Sequence, residues 1–235
     1  RTSSNFAPLR SIATTSLEIA FLNTRAGLGM VRNMRLESRS PALTNADLGG
    51  FHEYAKEAVK YPEAGVTLSD LSGQQILNTR TAFGTTGLPK TMFGERRRTQ
   101  SVGTLVSSIY WAPIGKQWSF AVDVPVVREG KVIYYLTMGT FANQLQRLFA
   151  EQGVLPAKWI GSIVDQDGNV VARSVGAEQV VGKKITPDML DKLSRQQHGS
   201  FDTTTVDGRR VYATFSKAAH YGWTFVIGVP VEEMN

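Results

Sequence analysis

The chain has 235 residues, of which 42% are apolar and 20% charged, and it contains no cysteine. This length fits one large domain or two of ordinary size, and the composition is that of a globular protein. The lack of cysteine excludes a disulfide framework and thiolate metal sites. The formal net charge is +6, but the basic residues are dispersed and not interleaved with aromatics as in a single-strand-binding groove. We therefore expect no nucleic-acid partner.

No apolar run approaches the roughly 20 residues that a membrane-spanning helix needs, and no stretch has the pattern of a signal peptide. The chain begins at Arg1 rather than Met, so we expect it to be a segment of a longer protein. The lack of a span in this segment therefore leaves open a membrane anchor elsewhere in the parent.

The N-terminal part of the chain is predicted to be helical. Between residues 7 and 37 apolar residues recur close to helical spacing, which predicts a helix of about 30 residues, on the order of 45 Å long. This exceeds what one compact module needs, so the helix is expected to serve as a spine, a dimerisation stalk or both. A second helix is predicted over residues 44–61, where Pro62 ends it.

The rest of the chain alternates strands with turn signals. A hairpin is predicted first, followed by a long, basic, Gly- and Thr-rich loop over residues 80–98, and such long loops are often functional. Three strands and a short helix follow, and then a second set of five strands with one helix. The predicted ranges are 66–71, 75–79, 103–111, 117–126 and 131–138 for the first strands, 141–151 for the helix, and 160–165, 169–174, 187–196 (helix), 199–206, 209–216 and 222–230 for the second set.

The sequence also repeats itself. Residues 118–126 (WSFAVDVPV) are echoed by residues 223–231 (WTFVIGVPV), and the Asp-x-x-Gly turn at Asp70 is echoed at Asp165. Internal repetition at this scale predicts two related modules in tandem. We expect boundaries at 1–61 for the two helices, 62–150 for the first module and 151–235 for the second.

Motifs for catalysis or for tight metal binding are not found. His52, His198 and His220 are isolated, without the short spacings of metal ligands. The residues after Asp165 begin like a calcium loop, but Gly168 falls at the fourth position instead of the sixth, so a hairpin turn is favoured. There is no nucleophile elbow and no pair of carboxylates placed for acid–base work. We predict a non-catalytic segment with no cofactor and no metal site.

Taken together, the long leading helix, the duplicated strand, Asp-x-x-Gly, strand unit and the tail at residues 221–230 (YGWTFVIGVP) resemble the double Cache sensor domain. The resemblance covers nearly the whole chain. It implies an α+β fold, in which a long N-terminal helix is followed by two tandem PAS-like (Cache) modules, each an antiparallel sheet flanked by helices. Such domains form the extracytoplasmic parts of bacterial sensor histidine kinases, diguanylate cyclases and chemoreceptors.

The resemblance further implies a periplasmic segment of an inner-membrane protein, anchored by flanking membrane helices and dimeric through the N-terminal helix. The first module would be membrane-distal and would bind a small molecule. The tail is most similar to those of histidine kinases. In the amino-acid-binding branch the strand matching residues 131–138 ends in an acid, whereas this chain has Thr137-Met138-Gly139. An α-amino acid is therefore disfavoured, and the basic run Arg96-Arg97-Arg98 favours a carboxylate or another small anion.

A sensing pocket needs a concave, mostly apolar lining with a few convergent polar groups. Asp123 is the most informative candidate because a carboxylate within an apolar strand must find a partner or face solvent, and its counterpart in the aligned repeat is Gly228. Alternatively, Asp123 pairs with a loop arginine and the aromatic residues belong to the core. The predicted ligand-binding residues are Arg96, Arg98, Tyr110, Trp111, Asp123, Tyr135 and Thr137.

Two other functions remain open at this point. The segment could be a docking module that recruits a periplasmic partner through its surface, with the first module a closed core. It could also be a periplasmic hydrolase with a site that no motif reveals. A thermal-shift screen of small organic acids separates the docking module from the sensor, and a turnover screen tests the hydrolase.

Overall fold

A computed structural model describes residues 38–59, 64–100, 103–151, 155–218 and 221–234. The long helix predicted for residues 7–37, with its proposed role in dimerisation, lies outside these residues. The described residues fall into two compact units, 38–141 and 142–234. In this part of the chain no helix combines the length and the apolarity required to cross a membrane.

The first unit opens with two helices, α1 (Pro41–Thr44) and α2 (Leu48–Ala58). The Asp47 side chain caps α2 by accepting a hydrogen bond from the Gly50 amide at 2.9 Å, which satisfies one amide without a helical partner. A third helix, α3 (Gly94–Thr99), begins inside the segment 80–98 that was predicted to be a loop and extends one residue beyond it. That prediction was wrong at its C-terminal end because a helix of six residues is too short to show apolar periodicity.

The first sheet is antiparallel, with the order β2-β1-β6-β5-β3, and β4 also pairs with β5. Its long hairpin turns through Glu129 and Gly130, both with positive φ, as the twist of a two-residue hairpin requires. The strand predicted over 103–111 is divided because the Ser107 hydroxyl accepts the Ala121 amide. The strands are β1 (Gly65–Ser69), β2 (Gln75–Asn78), β3 (Leu105–Val106), β4 (Tyr110–Ala112), β5 (Gln117–Arg128) and β6 (Lys131–Phe141).

The second unit repeats this arrangement with the order β8-β7-β11-β10-β9, again antiparallel. Its core forms where the apolar side of α6, including Met189 and Leu193, packs against the sheet. The elements are α4 (Asn143–Glu151), β7 (Ile160–Val164), β8 (Val170–Arg173), α5 (Ala177–Val180), α6 (Pro187–Arg195), β9 (His198–Thr204), β10 (Arg210–Lys217), β11 (Thr224–Pro230) and a 3₁₀ turn (Val231–Glu233).

The α+β architecture with two related antiparallel sheets agrees with the prediction, but the alignment of the repeat was wrong. Residues 118–126 lie in β5, which pairs with β6, β3 and β4, whereas residues 224–230 form β11 between β7 and β10. By strand order β11 corresponds to β6, and β5 corresponds to β10. In each stretch a largely buried strand segment follows a tryptophan. The two stretches look alike because burial within a sheet selects the same apolar pattern in both.

The Asp-x-x-Gly turns are equivalent in the two units. The Asp70 carboxylate accepts the amides of Ser72 and Gln74, and the Asp165 carboxylate accepts those of Asp167 and Asn169. An aspartate that binds the backbone ahead of it fixes a tight turn. Both turns join adjacent strands, β1 to β2 and β7 to β8, so the hairpin prediction is confirmed.

Candidate functional site

A groove lies on the first sheet, between its strands and two loop segments. It holds about 600 Å³ of atom-free space, including open solvent at its mouth. It is concave and combines apolar walls with a few polar groups, as ligand sites do. Its lining consists of Gly65, Thr67, Gln75, Asn78, Arg80, Pro89, Lys90, Thr91, Met92, Phe93, Tyr110, Ala112, Pro113, Ile114, Gly115, Thr137 and Gly139.

The groove exists because small residues face each other across three strands. Gly65 of β1 pairs with Gly139 of β6, which pairs in turn with Ala121 of β5. A Cβ atom on Gly65 would lie 2.6 Å from Arg80 Nε, and one on Gly139 would lie 3.2 Å from Tyr110 Oη. Glycine within a strand often marks such a close approach. The two glycines therefore let Arg80 and Tyr110 lie directly against the sheet.

The next row across the same three strands is polar. Thr67 of β1 pairs with Thr137 of β6, and Thr137 pairs with Asp123 of β5. The Thr137 hydroxyl donates to Asp123 Oδ1 at 2.5 Å, so its one proton is used and only its lone pairs remain for the groove. Among the described residues, the hydroxyls of Thr67 and Tyr110 have no hydrogen-bond partner.

The charge of the lining is positive. Arg80 lies over the Phe141 ring, 4.5 Å from its centroid, and Lys90 stands exposed at the rim. No carboxylate belongs to the described residues that line the groove. Burial raises the pKa of the Tyr110 phenol to about 12, against a smaller opposing effect of Arg80. Tyr110 is therefore a neutral hydroxyl at physiological pH, able to donate to an anion.

Behind the hydroxyl row lies a buried ion pair between Arg97 of α3 and Asp123. Asp123 is 0% exposed and Arg97 4%. Arg97 Nε donates to Asp123 Oδ2 at 2.6 Å, and Nη2 donates to the Asp123 carbonyl at 2.8 Å. The guanidinium also lies over the Tyr135 ring, 4.7 Å from its centroid. Burial raises the pKa of the Asp123 carboxyl, while Arg97 and the hydrogen bond from Thr137 counteract that shift.

The two arginines predicted as ligand-binding residues point elsewhere. Consecutive residues of a helix project about 100° apart, so the inward position of Arg97 turns its neighbours outward. Arg96 is exposed and donates to the Val106 carbonyl at 2.6 Å, and the Arg98 side chain is 78% exposed and lies 3.5 Å from Glu95. Neither arginine lines the groove.

The remaining predicted residues are distributed as follows. Tyr110 and Thr137 line the groove, whereas Asp123 and Tyr135 are buried behind it. Trp111 is 56% exposed, packs edge-on against Trp118 at 5.7 Å between centroids, and does not line the groove. The structure thus gathers four of the seven residues at or directly behind one surface.

Sequence reasoning missed Arg80, Thr67 and the two floor glycines as members of this surface, and it placed Arg97 in a ligand-binding loop, whereas Arg97 is buried against Asp123. A usable signal existed in Gly65 and Gly139, because glycine in a strand often marks close backbone or ligand approach. Arg80 follows β2 directly, so its position beside the sheet could also have been expected. The position of Arg97 depends on α3, which has no sequence signature.

The matching surface of the second unit is filled. The row that is formed by small residues in the first unit consists here of Ile160, Gly228 and Ala213. The row that is polar in the first unit consists here of Ser162, Val226 and Phe215. Phe215, not Gly228, is therefore the counterpart of Asp123. Val226 and Phe215 join Met189 and Leu193 in the apolar core. A separate open depression near Asp188 and Asp202 lies at the β9 side of that sheet.

No protein-family model and no curated protein sequence matches the chain. Among solved structures, the extracellular domain of rpHK1S-Z16, assigned as a histidine kinase, superposes with a TM-score of 0.70 at 15% identity, covering 98% of each chain. The ligand-binding domain of the Pseudomonas fluorescens chemoreceptor CtaA with L-serine gives 0.70 at 12% identity, covering 96% of each chain. The ligand-binding domain of Mlp24 with asparagine gives 0.61 at 15% identity, over 99% of this chain and 97% of that one. The chain has the fold of these sensor domains, as the resemblance to double Cache domains predicted.

Proposed function

We propose that this chain is the extracytoplasmic ligand-sensing domain of a membrane-bound signalling protein, and that a small organic anion binds in the groove of the first unit. The observation that carries the proposal is the composition of the groove. Cationic and hydroxyl side chains surround a floor of glycines, and no carboxylate belongs to the described lining. The shared fold of sensor domains supports the same conclusion.

In this proposal, Arg80 and Tyr110 hold the anionic end of the ligand. Both lie against the glycine floor, within reach of one small molecule. A guanidinium forms strong, charge-assisted hydrogen bonds to a carboxylate, and a neutral phenol adds a donor. Lys90 at the rim adds a positive field that attracts the anion.

The ligand proposed here differs from those of the compared receptors. CtaA was solved with L-serine, L-leucine, L-isoleucine and L-alanine, and Mlp24 with asparagine. An α-amino acid brings an ammonium group as well as a carboxylate. In this groove the Asp123 carboxylate binds Thr137 of the lining, and Arg97 already compensates its charge. A carboxylate without an ammonium group therefore fits better.

Signal transfer would begin at the ion pair. Thr137 faces the groove, binds Asp123, and Asp123 holds Arg97 of α3. The segment just before α3, residues 89–93, forms part of the groove wall. A ligand that contacts Thr137 would favour one position of α3 and this segment over another. Only a ligand with different affinities for two such arrangements can shift their populations.

The remaining elements of the proposal concern the parent protein. We assign residues 62–150 to a membrane-distal module and 151–235 to a membrane-proximal one, after N-terminal helices over residues 1–61. The parent is proposed to be a membrane-anchored, homodimeric sensor histidine kinase, because the tail at residues 221–230 is most similar to those of kinases. A chemoreceptor or a diguanylate cyclase is the alternative. The coding sequence beyond Asn235 distinguishes these outputs directly.

The binding proposal is tested by thermal unfolding of the chain in a panel of small organic acids. A ligand at 100 times its Kd raises the free energy of unfolding by about 2.7 kcal/mol. Arg80→Gln should weaken the stabilising acid by about 10- to 100-fold through the loss of charged hydrogen bonds.

Arg128→Gln is the matched control, because Arg128 is an exposed arginine at the end of β5 and away from the groove. Equal weakening by both variants would show that the arginine at the groove has no special role. A panel in which no acid stabilises the chain would count against the proposed function itself.

A further inference from the structure

We infer that the ligand is a small 2-hydroxycarboxylate, in which a hydroxyl beside the carboxylate donates a hydrogen bond to Thr137 Oγ1. This inference rests on the proposed function and specifies the chemistry of its ligand. It follows from the state of one side chain and from the spacing of the two rows on the groove floor.

The Thr137 hydroxyl has a single proton, and the structure directs it to Asp123 Oδ1 at 2.5 Å. The acceptor is a buried carboxylate that also pairs with Arg97, so this hydrogen bond is charge-assisted and strong. Thr137 therefore presents only lone pairs to the groove. A ligand atom placed there must donate a hydrogen bond, since an apolar group would leave the oxygen desolvated and without a partner.

The neighbouring hydroxyls impose no such requirement. Thr67 and Tyr110 have no hydrogen-bond partner among the described residues, so either hydroxyl can turn to donate or to accept. Tyr110 and Arg80 are thus suited to the carboxylate end. Thr137 is the position that distinguishes a ligand with a donor from one without.

The donor is a neutral hydroxyl and not an ammonium group because of the local charge. Arg80 and Lys90 line the groove, and Arg97 lies directly behind Asp123. The carboxylate that binds Thr137 is thus already paired with a buried arginine. An ammonium ion at Thr137 would add a further positive charge to this group, whereas a hydroxyl adds none.

The distance between the two rows sets the size of the ligand. Gly139, beneath Tyr110, and Thr137 are two residues apart on β6, which is about 7 Å along a strand. The ligand spans this distance along a bent path, with one hydrogen bond of about 2.8 Å at each end. Only a short separation between the carboxylate and the donor group of the ligand then fits. A hydroxyl on the carbon next to the carboxylate meets this condition.

The test uses two sets of compounds that differ only at that carbon: propionate, L-lactate and L-alanine, and succinate, L-malate and L-aspartate. Affinities for the 235-residue chain are measured by calorimetric titration. We expect one hydroxy acid to bind roughly tenfold more tightly than its deoxy and amino counterparts, as the loss of one buried hydrogen bond predicts. Equal or tighter binding of a deoxy or amino compound would overturn the inference, and so would a lack of binding by all six.

A failure of the hydroxycarboxylate inference can be distinguished from a failure of the proposed function. If another organic anion stabilises the chain and Arg80→Gln abolishes its effect, the sensor function stands and the hydroxycarboxylate inference fails. If no anion stabilises the chain, both fail.

Variants at Thr137 locate the effect. Thr137→Val should bring the hydroxy and deoxy acids to equal affinity, whereas Thr137→Ser should keep the preference. Thr203→Val is the matched control, because Thr203 is also a buried strand threonine that donates to an aspartate, Asp188, at 3.0 Å, but lies in the second unit. Retention of the preference in Thr137→Val would contradict the inference. If that variant does not fold, the compound series on the natural chain decides alone.

Discussion

Breaking the buried ion pair of the first unit should give a distinctive pattern of stabilities. Leaving one member of a buried pair without its partner costs about 3–5 kcal/mol, whereas replacing both with apolar residues of similar size is often neutral or stabilising by about 1–4 kcal/mol. Asp123→Leu and Arg97→Met should each destabilise the first unit by about 3–5 kcal/mol. The double variant should be at least as stable as the natural chain.

The geometry also predicts different pH dependences for the two single variants. In Asp123→Leu the Arg97 guanidinium keeps its bonds to the carbonyls of Gln100 and Gly103, but it cannot lose its charge, so the cost persists at every pH. In Arg97→Met the carboxyl can become neutral. Burial already raises the Asp123 pKa, and the loss of Arg97 raises it further. Because a raised pKa gives stability that is present at low pH and lost as pH rises through it, Arg97→Met should be more stable at pH 5 than at pH 8.

The assay is chemical and thermal unfolding of the natural chain, both single variants and the double variant at pH 5 and pH 8. For a unit of about 100 residues each kcal/mol moves Tm by about 4–8 °C, so a single variant should lose roughly 12 °C or more. Single variants whose free energy of unfolding lies within about 1 kcal/mol of that of the natural chain would refute the energetic argument. An Arg97→Met variant with no extra loss of stability toward pH 8 would refute the electrostatic one.

Two further predictions concern other parts of the described chain. Gly139→Ala should weaken ligand binding because its Cβ would lie 3.2 Å from Tyr110 Oη. Gly228→Ala, the equivalent change in the second unit, should leave the affinity for the ligand unchanged. Equal effects of the two changes in a titration would contradict the assignment of the groove. Burial raises the Asp207 pKa, but the hydrogen bonds from Arg173 and Thr205 outweigh it and lower the pKa to about 2. A lowered pKa gives stability that is present above pH 4 and lost as pH falls toward 2. Asp207→Asn should therefore cost roughly 2 kcal/mol at pH 6 and little at pH 2, as measured by acid and urea unfolding, and an equal loss at both pH values would contradict this pairing.

The architecture was largely predictable from the sequence because its signals are local. Alternating apolar residues define the strands, and the Asp70 and Asp165 turns bind their own backbones, so the hairpins depend on neighbouring residues alone. The repeat was misaligned because β5 and β11 share an apolar pattern that any buried strand can show. Strand order depends on pairing between distant residues, which a pattern within one strand does not contain.

The site was less predictable because its geometry arises from pairs far apart in the chain. Gly65 and Gly139 create space only because β1 lies beside β6. Which of three consecutive arginines turns inward depends on α3, whose six residues carry no periodicity. Asp123 was predicted to bind the ligand, but it is fully buried and paired with Arg97, which agrees with the alternative interpretation of a salt bridge to a loop arginine.

The second unit has Phe215 and Val226 where the first unit has Asp123 and Thr137. The two related sheets therefore differ in what they contribute, one to stability and the other to binding. The apolar centre of the second unit adds to its stability, whereas the open groove of the first unit leaves less apolar surface buried there. Heating the unliganded chain should therefore melt the first unit ahead of the second. Saturation with ligand should narrow the gap between the two transitions, so that occupancy can be read from the shape of a single calorimetric trace.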